Sequence, residues 1–352
     1  MKRHGNLYEK IYDLENLRLA HHNARKGKGW YTEVKMINED EDHYLKILQD
    51  LLINKTYETS EYQTFTKTDG LKNRLIHKLP YFPDRICQWA ILQVIEPILI
   101  KNLTKDTYSA IPGRGIHQAL NKVGGAIQND VPGTQYCMKL DVKKYYPSID
   151  HNILKKKYRR IFKDVELLWL LDEIIDSTPG DVGIPIGNYL SQYSGNFYLS
   201  SFDHWMKEVK GIKYYYRYMD DIVVLHESKH YLHELRKEID EYFNNELNLS
   251  IKSNWQVFPT FVRGIDFVGY RVFLNFTLLR KSTCKNFKKK LLSIEKKRIE
   301  NKQMNYSEWC SVNSYKGWLI HCDGHRLTQK YIVPIEQFSE DFYLNNVKRK
   351  VG

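Results

Sequence analysis

Cysteine is scarce and irregularly placed. The five cysteines, Cys87, Cys137, Cys284, Cys310 and Cys322, are odd in number, widely spaced and form no C-x-x-C pair. That pattern excludes a disulfide framework or a zinc ribbon and points to a reducing compartment. Long apolar runs are missing as well. The longest, AILQVIEPILI, is too short to span a bilayer and carries Gln93, Glu96 and Pro97, and the N-terminal stretch has no apolar signal region. A cytoplasmic protein with no membrane partner is expected. Neither an internal repeat nor a low-complexity tract interrupts the 352 residues, which read as one continuous multi-lobed chain.

Positive charge is in surplus. Lysine and arginine outnumber the acids 54 to 42, a net charge of +12 with pI near 9.2. The excess gathers in NARKGKGW and in KNFKKKLLSIEKKRIENK, and 26 tyrosines offer stacking surfaces. A polyanionic partner is the simplest reading, and the aromatics favour nucleic acid over a membrane surface. A solvated basic face would give the same totals.

Apolar spacing predicts a helix over 5–26, a second over 40–53 and another that starts at Pro83-Asp84. Between them, KTDGLKNRLIHKLPYFPDR alternates basic and apolar residues as an exposed hairpin does. Tyr136 to Val142 reads as a strand ending at Asp141. Helices are expected within 151–162 and 165–177, and a long one over about 187–208 follows the loop TPGDVGIPIG. A hairpin then carries Tyr218-Met219-Asp220-Asp221, Ser228 caps a further helix, and FVGYRVF and FTLLR flank a turn at Leu274-Asn275. The remainder is helical and basic.

The adjacent carboxylates of Asp220 and Asp221, between aromatic and β-branched runs, are stable only if positive charge compensates them. An ordinary polar turn is the plain alternative. Hard divalent cations take carboxylate and phosphate oxygens, and Asp141, at the end of another expected strand, supplies a third carboxylate. Such a cluster would hold two ions, one activating a 3′-hydroxyl and one stabilising the leaving pyrophosphate.

These segments stand in a familiar order. LDVKKYYPSID resembles the first palm motif of reverse transcriptases, GIPIGNYLSQ the second, YMDD the third, FVGY the primer-grip hairpin and SYKGWLIHCDGHRL a thumb segment. RLIHKLPYFPDRICQWAI and SAIPGRGIHQAL resemble the fingers motifs of bacterial and group II intron-like enzymes. The resemblance runs from about residue 5 to residue 331. It implies an α+β right-hand polymerase fold: an N-terminal extension and fingers over 1–135, a palm of antiparallel sheet with helices on one face over 136–280, and a helical thumb with a C-terminal tail over 281–352. Most of the family has Gln-Gly followed by Ser-Pro in the second palm motif. Here Ile186-Gly187 precedes Ser191-Gln192, the form similar to enzymes of diversity-generating retroelements, which copy a template-repeat RNA into cDNA with errors concentrated at adenines.

The resemblance assigns roles residue by residue. Asp141, Asp220 and Asp221 match the catalytic, metal-binding carboxylates, with the Val142 carbonyl a further ligand, for two Mg2+ ions or Mn2+ in their place. Tyr146 matches the aromatic gate that excludes a ribose 2′-hydroxyl. Ile186, Gly187 and Gln192 fall at the nucleotide, as do Arg74, Arg85 and Arg114, since arginine grips phosphate in bidentate fashion. Lys252 is the candidate proton donor to pyrophosphate, with Asn254 an alternative in the same register. Tyr218, Met219, Phe267, Gly269, Tyr270, Tyr315, Trp318 and Arg326 match positions at primer and template. His321, Cys322 and His325 lack a matching ligand pair and read as interhelical or nucleic-acid-facing residues. Implied partners are template RNA, the RNA–DNA heteroduplex, deoxynucleoside triphosphates and a small basic accessory protein. RNase H and endonuclease segments are not visible. A retron or phage-defence reverse transcriptase would share the palm chemistry, and an RNA-binding maturase-like scaffold would need fewer of these residues.

The charge distribution generates a first test. RNA affinity is expected to fall steeply with salt through counterion release, centred on Lys288, Lys289, Lys290, Lys296, Lys297 and Arg298. Contact with about six phosphates would cost ~10³-fold between ~50 and ~200 mM salt. Titrations that proved flat across that range would rule out the electrostatic footprint.

Overall fold

The structure, a computed structural model, describes residues 3–69 and 72–347. Residues 70–71, at the tip of the expected fingers hairpin, and 348–352, at the end of the expected tail, lie outside them. The strands are β1 (Gln63–Asp69), β2 (Lys72–Lys78), β3 (Tyr136–Asp141), β4 (Tyr214–Tyr218), β5 (Asp221–His226), β6 (Gln256–Pro259), β7 (Ile265–Phe267), β8 (Tyr270–Val272) and β9 (Thr277–Leu279). They form a β1-β2 hairpin, a four-stranded sheet in the order β4-β5-β3-β6 and a three-stranded sheet β7-β8-β9. Helices make up most of the rest, so the class is α+β as expected.

The chain divides into two compact units, each assembled from separate stretches: 1–114, 140–222 and 234–255 in one, and 115–139, 223–233 and 256–352 in the other. In the first, the helix Ile86–Lys101 buries half of its residues and forms the spine. Against it lie Tyr8–Tyr12 and Leu14–Ala24, held by polar stitches: Asn16 Nδ2 donates to the Ala90 carbonyl (3.1 Å), and Gln93 Nε2 donates to the Asn16 carbonyl (3.0 Å). The single helix expected over 5–26 is broken at Asp13, where the backbone is extended and the carboxylate accepts the Glu15 and Asn16 N–H groups to start a new helix. Asp164 acts over a longer range. It caps Val165–Asp176 through Leu167 N–H and accepts Leu7 N–H (2.6 Å) and Tyr8 N–H (3.1 Å), fixing the N-terminal segment.

The hairpin β1-β2 is antiparallel with Phe65 opposite Ile76 and Lys67 opposite Arg74. The helix expected from 187 begins at Tyr189, because Gly187 has φ +123°, and continues as Tyr189–Tyr198 and Ser200–His204. Ser228 caps the helix Lys229–Leu247 as expected, accepting Tyr231 N–H at 3.2 Å.

In the second unit β3 pairs antiparallel with β6, Cys137 opposite Phe258. FVGYRVF, expected as one strand, is two: Val268 (φ +43°) and Gly269 (φ +90°) turn the chain between β7 and β8. The basic helix Lys281–Ile299 buries Phe287, Leu291 and Ile294 and leaves Lys289, Lys296 and Arg298 exposed. Tyr306–Leu319 opens on a capping box of Asn305 and Glu308. Two helices were not anticipated, Thr32–Glu39 and Ile116–Asn129. The second contains Gly124-Gly125, which weakens any sequence-based helix assignment.

Candidate active site

Strand β3 buries Cys137, Met138 and Leu140 and leaves Asp141 half-buried at its end. Backbone bonds then place its neighbours. Val142 N–H donates to the Asp220 carbonyl (3.3 Å), Lys143 N–H to the Ser250 carbonyl (2.9 Å), and Lys252 N–H to the Asp141 carbonyl (2.9 Å). Asp141 is thus flanked by the turn that carries Asp220 and by the segment that carries Lys252.

Tyr218 closes β4 and Asp221 opens β5, so Met219 and Asp220 are the whole turn. Met219 sits at φ +57°, a left-handed conformation that costs a non-glycine residue ~1–2 kcal/mol. Arg217 supports it by donating from Nη1 to the Met219 carbonyl (2.9 Å).

Arg217 has no exposed surface, and neither has Asp203. The guanidinium bonds Asp203 Oδ1 through Nε (2.7 Å), Asp203 Oδ2 through Nη2, and the side chain and carbonyl of Asn196 (3.2 Å each). Asp203 also accepts from the Tyr215 hydroxyl (2.6 Å) and the Thr107 hydroxyl (3.1 Å). Burial works against the Arg217 charge, but the field and hydrogen bonds of Asp203 outweigh it and hold the guanidinium pKa above its ordinary value. Tyr215 is pushed well up, first by burial and then by Asp203. Sequence reasoning missed this network. The usable signals were an arginine in a strand two residues before the turn, and an aspartate beside Phe202 in the helix expected over about 187–208.

Tyr146 follows β3 on the short turn Tyr146–Ser148. Its hydroxyl reaches Met219 Sδ (3.5 Å), and Gly195 comes up against Tyr145, Met219 and Tyr146, where a Cβ would meet all three at 3.5–3.7 Å. Burial raises the Tyr146 pKa, the Asp220 charge adds to the rise and Arg74 opposes it, so the ring lies within electrostatic reach of both. Ile184 N–H donates to the Tyr146 carbonyl (3.0 Å), and two residues on, the Ile186 carbonyl accepts His77 N–H from β2 (2.9 Å). Gly187 is required here: at φ +123° a Cβ would lie 2.9 Å from the His77 carbonyl oxygen. Ile186 is half-buried and Gln192 exposed. Arg114 is occupied by the Thr104 carbonyl (2.8 Å), whereas Arg85 keeps a buried Nε with no hydrogen-bond partner.

The expected primer and template residues of the second unit form a packed group. Phe267 and Tyr270 are fully buried, so their rings fix the Val268-Gly269 turn instead of facing solvent. Tyr270 stacks on Trp318 (5.1 Å) and donates to its carbonyl (3.0 Å), and Gly269 lies so close to the indole that a Cβ would collide with it. Tyr315 meets Phe287 edge-on, Arg326 is exposed, and His321 stacks on His117 at 3.5 Å.

Among the described residues no group of three or more His, Cys, Asp or Glu is arranged to hold a metal ion. The side chains of Asp141, Asp220 and Asp221 are carboxylates, hard oxygen donors of the kind divalent cations take together with substrate phosphates.

A family model described as reverse transcriptase (RNA-dependent DNA polymerase) matches residues 66–272, more than half of the chain. Protein YkfC of Escherichia coli (strain K12) is 26% identical over 231 residues, 61% of this chain and 54% of that protein. The chain therefore spans about half the length of that curated relative. Among solved structures, telomerase from Candida albicans with a TWJ fragment of telomeric RNA aligns at TM-score 0.48 and 10% identity, over 69% of this chain and 51% of that one. Apo telomerase from Candida tropicalis aligns at TM-score 0.49 and 12% identity, over 64% and 48%.

The buried ion pair yields a stability test. Arg217→Met strands Asp203 without its countercharge and is expected to cost about 3–5 kcal/mol in chemical denaturation. Adding Asp203→Leu should restore much of that loss, because both charges are then gone. A single variant within 0.5 kcal/mol of the parent, about the size of a neutral surface change, would show that the pair does not hold the turn.

Proposed function

Because the chain belongs to the reverse transcriptase (RNA-dependent DNA polymerase) family, we propose that it is an RNA-directed DNA polymerase whose centre is Asp141, Asp220 and Asp221. The observation that carries this is the bond from Val142 N–H to the Asp220 carbonyl, which sets the end of β3 against the two-aspartate turn. Divalent ions held by these carboxylates and the Val142 carbonyl, Mg2+ or Mn2+, would activate the primer 3′-hydroxyl and neutralise the leaving pyrophosphate. Tyr146, braced by Met219, fills the space a ribose 2′-hydroxyl would need. Arg74, within reach of that ring, binds triphosphate, with Arg85, Arg114 and Gln192 as further nucleotide contacts. Lys252 would protonate the leaving pyrophosphate, a reading supported by the bond from its N–H to the Asp141 carbonyl. The segments 1–135, 136–280 and 281–352 act as extension and fingers, palm, and thumb with tail. Within them Tyr218, Met219, the Val268-Gly269 turn between Phe267 and Tyr270, Tyr315, Trp318 and Arg326 attend primer and template.

The finer reading is error-prone synthesis in a diversity-generating retroelement. It is supported by Ile186 and Gly187 followed by Ser191 and Gln192. The Ile186 carbonyl is engaged by β2 and its side chain is apolar, so it supplies no polar side-chain contact to an incoming nucleotide. Losing such a bond is worth about 1 kcal/mol, up to about 3 where a buried partner is stranded, roughly a five- to hundredfold change in discrimination. Template RNA, its heteroduplex with cDNA, deoxynucleoside triphosphates and a small basic accessory protein are the partners, in the cytoplasm. No helix among the described residues is long and apolar enough to cross a membrane. A retron or phage-defence enzyme would share the same centre and differ in fidelity.

One assay on a primed RNA template addresses all three roles. Asp220→Asn should abolish deoxynucleotide incorporation with the fold intact, Tyr146→Ala should admit ribonucleotides, and Ile186→Gln should lower misincorporation, most strongly opposite template adenine, with correct synthesis within about tenfold of the parent. Full activity in the first variant would sink the catalytic assignment. Unchanged sugar selection in the second would remove the gate, and identical error spectra from sequenced cDNA would make Ile186 a packing residue.

A further inference from the structure

The loop that leads from the helix Val165–Asp176 towards Ile186 is bonded along the segment that follows β3. His151 N–H donates to the Asp181 carbonyl (3.0 Å), Gly183 N–H to the Ile149 carbonyl (2.7 Å) and Ile184 N–H to the Tyr146 carbonyl (3.0 Å). Val182 bridges Asp150 in antiparallel fashion between them. The main chain of Tyr146 is therefore held by the residue after Gly183. All of these residues lie in the unit that carries Asp141, Asp220 and Asp221.

Gly183 has no side chain to anchor it. Its φ is +101°, a conformation that other residues rarely adopt, and a Cβ there would lie 3.4 Å from the Pro147 carbonyl oxygen. Its carbonyl instead receives two side-chain donors from different elements. His151 Nε2 lies 2.7 Å away and Thr178 Oγ1 2.8 Å away. A carbonyl can only accept, so Nε2 carries the hydrogen. Across the ring, Nδ1 faces Asp176 Oδ1 at 3.6 Å, a carboxylate paired with Lys155. Both donors are sealed from water, His151 at 2% exposed and Thr178 at 7%.

The Gly183 carbonyl and the Ile184 N–H are the two ends of one rigid trans peptide plane. Fixing the first aims the second. His151 and Thr178 hold the plane at one end, and the Tyr146 carbonyl takes its hydrogen at the other. A glycine on one side of such a plane leaves it free to rotate, so its orientation depends on these two donors.

We propose that His151, assisted by Thr178, is a positioning residue for sugar selection: it pins the Gly183–Ile184 peptide plane and thereby sets the Tyr146 ring where a ribose 2′-hydroxyl would otherwise lie. The inference rests on the gate role given to Tyr146 and adds a residue that acts only through it.

Steady-state incorporation of each ribonucleotide and its deoxy counterpart on a primed RNA template tests it, with the ratio of the two kcat/KM values as the readout. His151→Leu keeps a side chain of similar size and removes the N–H. The preference for deoxynucleotides should fall about fivefold or more, the factor one hydrogen bond is worth. His151→Gln, which can return an N–H to the place of Nε2, should recover most of it. A role confined to packing would lower both kcat/KM values together and leave their ratio unchanged. Thr178→Val removes the second donor and should act in the same direction; it decides should His151→Leu not fold. An unchanged ratio, or a His151→Gln protein as permissive as His151→Leu, would overturn the proposal. Tyr146→Ala assayed alongside separates the readings. Sugar selection relaxed by Tyr146→Ala and not by His151→Leu removes the positioning role alone, and selection relaxed by His151→Leu alone shows a route that bypasses Tyr146 and removes it too. If neither variant relaxes it, the gate reading falls and this inference with it.

Discussion

An ion pair sealed from water, Arg217 with Asp203, is the constraint on which the carboxylate turn depends. Neither side chain is exposed, and each has its remaining polar atoms engaged by Asn196, Tyr215, Thr107 and the Met219 carbonyl. A buried pair of this kind adds little to stability compared with an apolar equivalent, because desolvation offsets the attraction. What it supplies is definition. The guanidinium is a planar fork that satisfies five bonds in only one orientation. Through it, strand β4, the helices Tyr189–Tyr198 and Ser200–His204, and the stretch around Asp106 to Tyr108 share one geometry. A left-handed methionine at the tip of a two-residue turn is tolerable only in so determined a frame.

The parts of the molecule legible in the sequence were those whose signal is local. Alternation marked β4 and β5, the Asp pair marked their turn, and Ser228 announced its helix. The order of short motifs identified the family without any long-range contact being known. What stayed hidden depended on partners distant in sequence. Asp203 reads as one more acid on a helix until Arg217 is seen to face it. Gln88 and Asn188 look like unremarkable amides until both are found buried. Asp13 was overlooked because the apolar spacing of Leu7, Ile11, Leu14 and Leu17 continues through it, although the backbone does not. Phe267 and Tyr270 match positions at a primer by motif; in the structure both are buried, and Tyr270 stacks on Trp318.

Aromatic residues do two different jobs in this chain, and burial distinguishes them. Tyr215, Tyr145 and Tyr270 are sealed and hydrogen-bonded, and serve as struts. Tyr146, Tyr31 and Tyr189 are only partly buried, each with a neighbouring ring or sulfur against it. A tally of tyrosines signals a nucleic-acid partner only weakly, since it mixes the two kinds.

The surroundings of Asp141 carry a consequence for synthesis of the chain on the ribosome. Its flanks are closed by hydrogen bonds from Val142 to Asp220, from Lys143 to Ser250 and from Lys252 back to Asp141. An emerging polypeptide therefore leaves the surroundings of Asp141 incomplete until Ser250 and Lys252 have been translated, at ~5–20 residues per second. Both edges of β3 are bare until β5 emerges, and the edge that takes β6 stays bare after that. Whatever shields that edge, whether early helices or a chaperone, must release it before the segment at 250–252 can dock, which makes this closure a late event in co-translational folding.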